Sequence, residues 1–247
     1  GYTPSPSKRN RVEYNHIHHL GWGVLSDMGG VYTLGASEGT TVSNNVIHHI
    51  YSLDYGGWGL YTDEGSEGIT MENNLVYNCK SSGFHQHYGK ENIIRNNIFV
   101  NSIKAQLQAT RVEKHLSFSF TNNIVYFNSG TLLSSNWPTV NIKTDENCYR
   151  DTRSNDILFG RKTFAAWQQE GKDKHSVIAD PGFKDVKNFD FRITNKRIIN
   201  KIKFKPFDHS KAGVYGTDDW IQKAKLDAAR AGAFDQMVAE HEARAAE

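Results

Sequence analysis

The feature that most constrains this chain is a recurring asparagine. Six segments share one shape: an apolar or β-branched run, one or two Asn, then another apolar run. They read RVEYNHIHHL (11–20), TVSNNVIHHI (41–50), TMENNLVYNC (70–79), IIRNNIFVNS (93–102), FTNNIVYFNS (120–129) and KTDENCYR (143–150). With Asn15, Asn45, Asn74, Asn97, Asn123 and Asn147 as the register mark, the steps are 30, 29, 23, 26 and 24 residues. A period in this range is the signature of a repeat architecture. Ile, Val, Leu, Phe, Tyr and Thr suit strands. Asn tolerates the left-handed backbone region and bonds its own neighbouring main chain, so it suits a tight corner. Strand, Asn corner, strand is one coil of a parallel β-helix. Stacked coils would set Asn above Asn, each amide bonding the next. Sustained 3.6-residue periodicity is absent before residue 162, so helical repeats fit poorly.

The rest of the chain divides around this solenoid. Residues 1–10 are rich in Pro, Ser and Lys and read as a loop; residues 11–216 form the β-helix domain. TFAAWQQEG (163–171) predicts a short helical insertion near 162–171, with Thr163 as N-cap and Gly171 past the C-terminus. DPGF (180–183) reads as a turn and FDFRIT (189–194) as a strand. Residues 217–247 are rich in helix formers and predict a helical cap or tail, with Trp220, Ile221, Ala224 and Leu226 packing on the last coil. The chain enters its first repeat almost at once. This predicts a piece of a longer protein whose first coil carries an open sheet edge.

Composition excludes some functions. A net charge of +2 with 23% charged residues gives no basic field for nucleic acid. No stretch approaches the roughly 18–20 apolar residues that span a membrane, and no signal peptide is visible. Cys79 and Cys148 have no metal-ligand spacing and read as buried apolar thiols three coils apart. Oligomeric state is open.

Three segments carry candidate chemistry: SDMGGVYTLG (26–35), GGWGLYTDEGSEG (56–68) and SGFHQHYGKEN (82–92). Each precedes an Asn corner by a similar distance, so they should share one face. Insertions in repeat proteins gather on one face, often the binding face. Strand alternation puts Leu60 and Thr62 inward and Tyr61 and Asp63 outward, and His85 and His87 outward if Phe84 is core. The acidic candidates are Asp27, Asp63 and the turn residue Glu64. Carboxylates one or two coils apart would span about 5–10 Å, which covers both glycosidase geometries. His85, Gln86 and His87 could bind sugar hydroxyls or tune a carboxyl group. A His-x-His pair could also hold a metal, but the expectation is a metal-independent site with no cofactor. Trp22, Trp58, Tyr61 and Tyr88 could make a stacking platform. Gln106, Gln108, Arg111 and His115 suit hydroxyl or carboxylate recognition. His18, His19, His48 and His49 recur at matching repeat positions, where the next coil carries Tyr77 and Asn78, and read as a structural stack.

Taken together, DMGGVYTLG, YGGWGLYTDEGS, GFHQHYGKENIIRNNIF and HLSFSFTNNIVY resemble the right-handed parallel β-helix proteins of carbohydrate-degrading bacteria, in particular glycoside hydrolase family 141. The resemblance covers residues 10–215. It implies an all-β, right-handed parallel β-helix and α-L-fucosidase or xylanase types of activity. It also implies an acidic pair, for which Asp27 and Asp63 match best. Relatives usually carry more coils ahead of this point. The expected function is glycoside hydrolysis of a plant or algal glycan by two carboxylates, with Glu64, His85, His87, Gln86, Tyr61, Trp58, Trp22, Gln108 and Arg111 contacting the carbohydrate. That substrate class implies a secreted or periplasmic location. The alternatives are a polysaccharide lyase using Lys104, Arg111 and His85, and a β-helix that binds carbohydrate without cleaving it.

Overall fold

The computed structural model describes residues 1–246. The repeats wind into a parallel β-solenoid with three main sheets. The first sheet stacks Arg11–Glu13, Thr41–Ser43, Thr70–Glu72, Asn92–Arg95, Phe118–Thr121 and Ile142–Asp145. The second, beyond the Asn corner, stacks His16–Leu20, Val46–Ile50, Leu75–Cys79, Ile98–Val100, Ile124–Phe127, Cys148–Asp151 and Val177–Ile178. The third stacks Gly29–Thr33, Trp58–Thr62, Ser82–Gln86, Ala105–Ala109 and Thr131–Ser135. Val42, Met71, Ile94 and Phe120 fill the interior from the first sheet, Ile47, Val76, Phe99 and Val125 from the second, and Leu60, Phe84 and Leu107 from the third. Burying each such side chain is worth about 1.5–3 kcal/mol relative to exposure. Gly59 marks a close approach, since a Cβ there would lie 2.2 Å from Val76 Cγ1.

At the corner, two adjacent residues divide the work. The first takes the left-handed conformation: Asn44, Asn73, Asn96 and Asn122 have φ of 55–57°, and Tyr14 and Glu146 do the same in the flanking coils. The second forms the ladder. Asn45, Asn74, Asn97, Asn123 and Asn147 are fully buried. The Asn97 Oδ1 accepts from both the backbone N–H and the Nδ2 of Asn74, each at 2.9 Å. Asn97 Nδ2 in turn donates to Asn123 Oδ1 (3.1 Å) and to Met71 O (3.0 Å). The pattern runs from Asn15 to Asn147. The repeated amide thus satisfies buried main-chain groups that a turn would otherwise orphan.

The ladder needs a terminus, and Asp173 supplies it. Its buried carboxylate accepts from Thr144 Oγ1 (3.0 Å), Asn147 Nδ2 (2.9 Å), Tyr149 Oη (3.0 Å), Trp167 Nε1 (2.7 Å) and Ser176 Oγ (2.6 Å). Trp167 comes from α1 (Phe164–Gln169), the expected insertion, N-capped by Thr163 Oγ1 accepting from the Ala166 N–H. This insertion helix covers the last coil.

From Leu75–Cys79 to Ile124–Phe127 the second sheet is largely apolar on both faces, as a sheet covered on both sides must be. Its outer face packs under residues 183–212, where a short antiparallel pair, Phe183–Asp185 with Asp190–Ile193, precedes α2 (Lys196–Lys201). Leu75, Ile98 and Ile124 meet Phe191, Ile198, Ile202 and Phe204 there. The expected cap from residues 217–247 is corrected. Trp220 of α3 (Asp218–Lys223) is 66% exposed. The long helix α4 (Ala228–Ala245) docks instead on the first two coils, through buried Phe234 against His19, Trp22 and His49. α1 already occupies the solenoid end. Both cysteines are free and buried, and burial pushes each thiol up to about 12.

Candidate active-site cleft

The outer face of the third sheet carries the candidate site. Its register aligns Tyr32, Tyr61, His85 and Gln108 on successive coils. Trp58 stacks on His85 at 4.3 Å between ring centroids and donates from Nε1 to Gln108 Oε1 at 2.8 Å. Tyr61 stacks on the same imidazole at 4.8 Å. Burial holds His85 neutral, with its pKa lowered to about 3. The result is a wall of aromatic faces whose polar edges open onto a cleft of about 330 Å³.

Asp63 sits at the floor, directly after Trp58–Thr62, and is 6% exposed. It accepts from Tyr32 Oη (2.5 Å) and pairs with His87 Nδ1 (2.9 Å). Burial alone would raise its pKa. Hydrogen bonds from Tyr32, His87, Tyr61 and the Glu64 backbone outweigh that and hold it below the ordinary carboxylate range. Tyr61 is the hinge between the acids. Its hydroxyl donates to Asp27 Oδ1 at 3.2 Å and also acts on Asp63. Burial first, then these carboxylates, hold the phenol protonated. Asp27 lies in the loop before Gly29–Thr33 with φ of 50°. Gly56 allows this approach, since a Cβ there would fall 2.8 Å from the Asp27 nitrogen.

The cleft gathers Asp27, Asp63, Glu64, Tyr61, Trp58, His85, His87 and Gln108 from the expected set. Three others lie elsewhere. Gln86 points inward, with its Oε1 accepting from Thr62 Oγ1 and Asn92 Nδ2, so it is an interior polar group. The alternation that turns His85 and His87 outward turns Gln86 inward. Trp22 packs edge-on against Phe234, 5.2 Å between centroids, under α4. Arg111 lies over the Tyr88 ring at 4.3 Å, which also takes Tyr88 out of the stacking platform. Among the described residues no lysine or arginine lines the cleft. Lys104 lines a separate surface with Lys80, Glu242 and Arg244. Sequence reasoning missed Tyr32, which braces Asp63, and Tyr55 and Thr110, which line the cleft. Tyr32 carries a signal: Val31-Tyr32-Thr33 repeats as Leu60-Tyr61-Thr62 in exact register.

Residues 4–147, more than half of the chain, match the family described as the right handed beta helix region. Neither the curated proteins nor the solved structures give a significant match. With the parallel coils, the Asn ladder and this match in agreement, the chain belongs to the right-handed β-helix family.

Proposed function

We propose that this protein hydrolyses glycosidic bonds of a neutral plant or algal glycan in the cleft on the third sheet. The observation that carries the reading is the carboxylate pair held around the Tyr61 hydroxyl beside the aromatic wall of Trp58 and His85. Right-handed β-helices are common among carbohydrate-active enzymes. The closer likeness to glycoside hydrolase family 141 rests on the sequence motifs. Two-carboxylate hydrolysis needs one group ionised and one able to give a proton. Asp63, hydrogen-bonded by two tyrosines and His87, is stabilised as the anion, which suits a nucleophile or a base. Asp27, on the rim and hydrogen-bonded by Tyr61, would be the second carboxyl group of the pair. Trp58 and Tyr55 would stack on sugar rings, while Gln108 and His87 would contact hydroxyls. A polymeric glycan would be met outside the cytoplasm, in a secreted or periplasmic location.

The charge of the cleft argues against the lyase alternative. A lyase must neutralise a uronate carboxylate. Here three acids face the space, and both Lys104 and Arg111 lie away from it. Mass spectrometry of products from a panel of fucosides, xylans and uronate polymers tests this. Products that gain water at the cut bond support hydrolysis. Unsaturated products would move the reading to a lyase, and binding without products would leave a carbohydrate-binding β-helix.

A further inference from the structure

The second sheet carries another built cluster, on its outer face and at the corner that ends its strands. His18 lies over His48 at 5.0 Å with an interplanar angle of 6°, and His48 over Tyr77 at 4.4 Å. One residue on, His19 lies over His49 at 4.7 Å and 3°. His19, His49, Asn78 and Asn101 are all left-handed, with φ of 51–54°, so they form the second corner of the coils. Ring nitrogens face each other directly. The Nδ1 atoms of His48 and His49 are 2.5 Å apart, those of His18 and His19 2.8 Å, and His16 Nε2 lies 2.8 Å from His48 Nε2.

We propose that His19, His48 and His49 bind one divalent transition-metal ion of the zinc class, with Asp235 of α4 orienting His49 from its other ring nitrogen. One ring nitrogen from each of the three lies within 4.8 Å of the others. Neutral imidazole is the commonest ligand of such ions, and three of them leave a fourth position for water. Two nitrogens on a tetrahedral zinc, at bonds of 2.0–2.1 Å, stand about 3.3 Å apart. The His48–His49 pair therefore opens slightly on binding, the ion replaces a nitrogen–nitrogen hydrogen bond, and His19, stacked parallel to His49, turns about its side-chain torsions to aim a nitrogen at the ion. The surroundings complete the chemistry. Asp235 Oδ1 lies 3.9 Å from His49 Nε2, and Asn78 Nδ2 lies 3.2 Å from the same nitrogen. A ligating histidine typically donates its second N–H to a carboxylate, so with the ion on Nδ1 the Asn78 amide turns its nitrogen away and Asp235 takes the Nε2 proton. Phe234, next to Asp235, seals the cluster from one side. The ion would thus strengthen the docking of α4 that Phe234 already makes on the first two coils.

The test is titration of the metal-free full chain with Zn²⁺ by calorimetry and with Co²⁺ by visible absorption. Each is repeated on H19N, H49N and D235N. Asn is the substitution to use, because Asn78 and Asn101 already occupy this left-handed corner in the next coils. Circular dichroism checks the fold of each variant, and H175N serves as a control at a histidine paired only with Asp145. The expected result is one ion per chain, intense four-coordinate Co²⁺ bands, and a melting temperature that rises with Zn²⁺. H19N and H49N should weaken Zn²⁺ binding by more than about 100-fold, and D235N by about 10–100-fold, the usual range for an outer-shell partner. Wild-type affinity no greater than that of folded H19N or H49N, or a melting temperature indifferent to saturating Zn²⁺, would overturn the proposal.

Discussion

The Asn corner and the cleft are both stacks of polar side chains on successive coils, yet they are built differently. In the ladder one residue type repeats, each amide from Asn45 to Asn147 is fully buried, and from Asn15 to Asn123 each bonds its equivalent in the next coil. On the third sheet the stacked positions are Tyr32, Tyr61, His85 and Gln108, three residue types over four coils, and their polar edges turn to a cleft. Identical residues can satisfy one another along a solenoid axis, which stabilises the fold and leaves nothing over for a ligand. Unlike residues cannot propagate a ladder. They hold one carboxylate, Asp63, through hydroxyls and an imidazole contributed by neighbouring coils. Repetition therefore marks structure, and its breakdown on one face marks the place where chemistry can be done.

Substitutions in the two stacks should separate stability from activity. The largest effect expected is on rate. Asp63→Asn should lower turnover of the identified glycan by about 10²–10⁴-fold, the range for losing a positioned acid–base group, with the melting curve little changed. Asn97→Leu should do the reverse. It orphans the Asn74 backbone N–H, at about 1–3 kcal/mol for a buried group left unpaired, and removes one further hydrogen bond each from Asn74 Nδ2, Met71 O and Asn123 Oδ1. Urea unfolding should show a loss of at least about 3 kcal/mol. Asn15→Ala, at the exposed end of the same ladder, should cost under about 1 kcal/mol. A ladder that loses equally at both positions would mean that burial is not what gives it strength.

Acidification probes the cleft stack itself. His85 is held to about 3 in the folded state by burial, against 6.5 for the free side chain. Between those values the unfolded chain binds more protons, so this stabilisation is present above pH 6.5 and is lost as pH falls toward 3. One such group contributes a slope of at most about 1.4 kcal/mol per pH unit. His85→Gln should flatten the pH dependence of the unfolding midpoint over this window, and an unchanged slope would place the acid sensitivity elsewhere. Tyr32→Phe probes the same stack from the neighbouring coil. It removes one hydrogen bond to Asp63, worth about 1.5–3 kcal/mol to a charged acceptor. The acid limb of the pH–rate profile should shift upward while KM stays near its wild-type value.

What was legible in the sequence follows the same division. The recurring Asn announced the solenoid, its register and the position of the corner, because identical residues in a ladder must recur at every coil. The split between a left-handed Asn and a ladder Asn was not legible, since both are the same residue type. Alternation in GLYTDEG and GFHQH placed Tyr61, Asp63, His85 and His87 on the cleft side. Gln86 was misjudged by setting composition above that alternation. Loop residues escaped. Trp22 has no strand register to fix its direction, and α4 takes it. The docking of α4 could not be read from helix propensity, which says nothing of the partner surface. Its position depends on Phe234 meeting a histidine stack formed by two separate coils.

The most direct test of the central claim is turnover of a defined glycan panel by the wild-type protein and Asp63→Asn side by side, with circular dichroism on both. The account predicts hydrolysis products from the wild type and about 10²-fold less or lower still from a fully folded variant. Turnover by the folded variant within a few-fold of wild type would show that the cleft around Asp63 is not where the chemistry occurs.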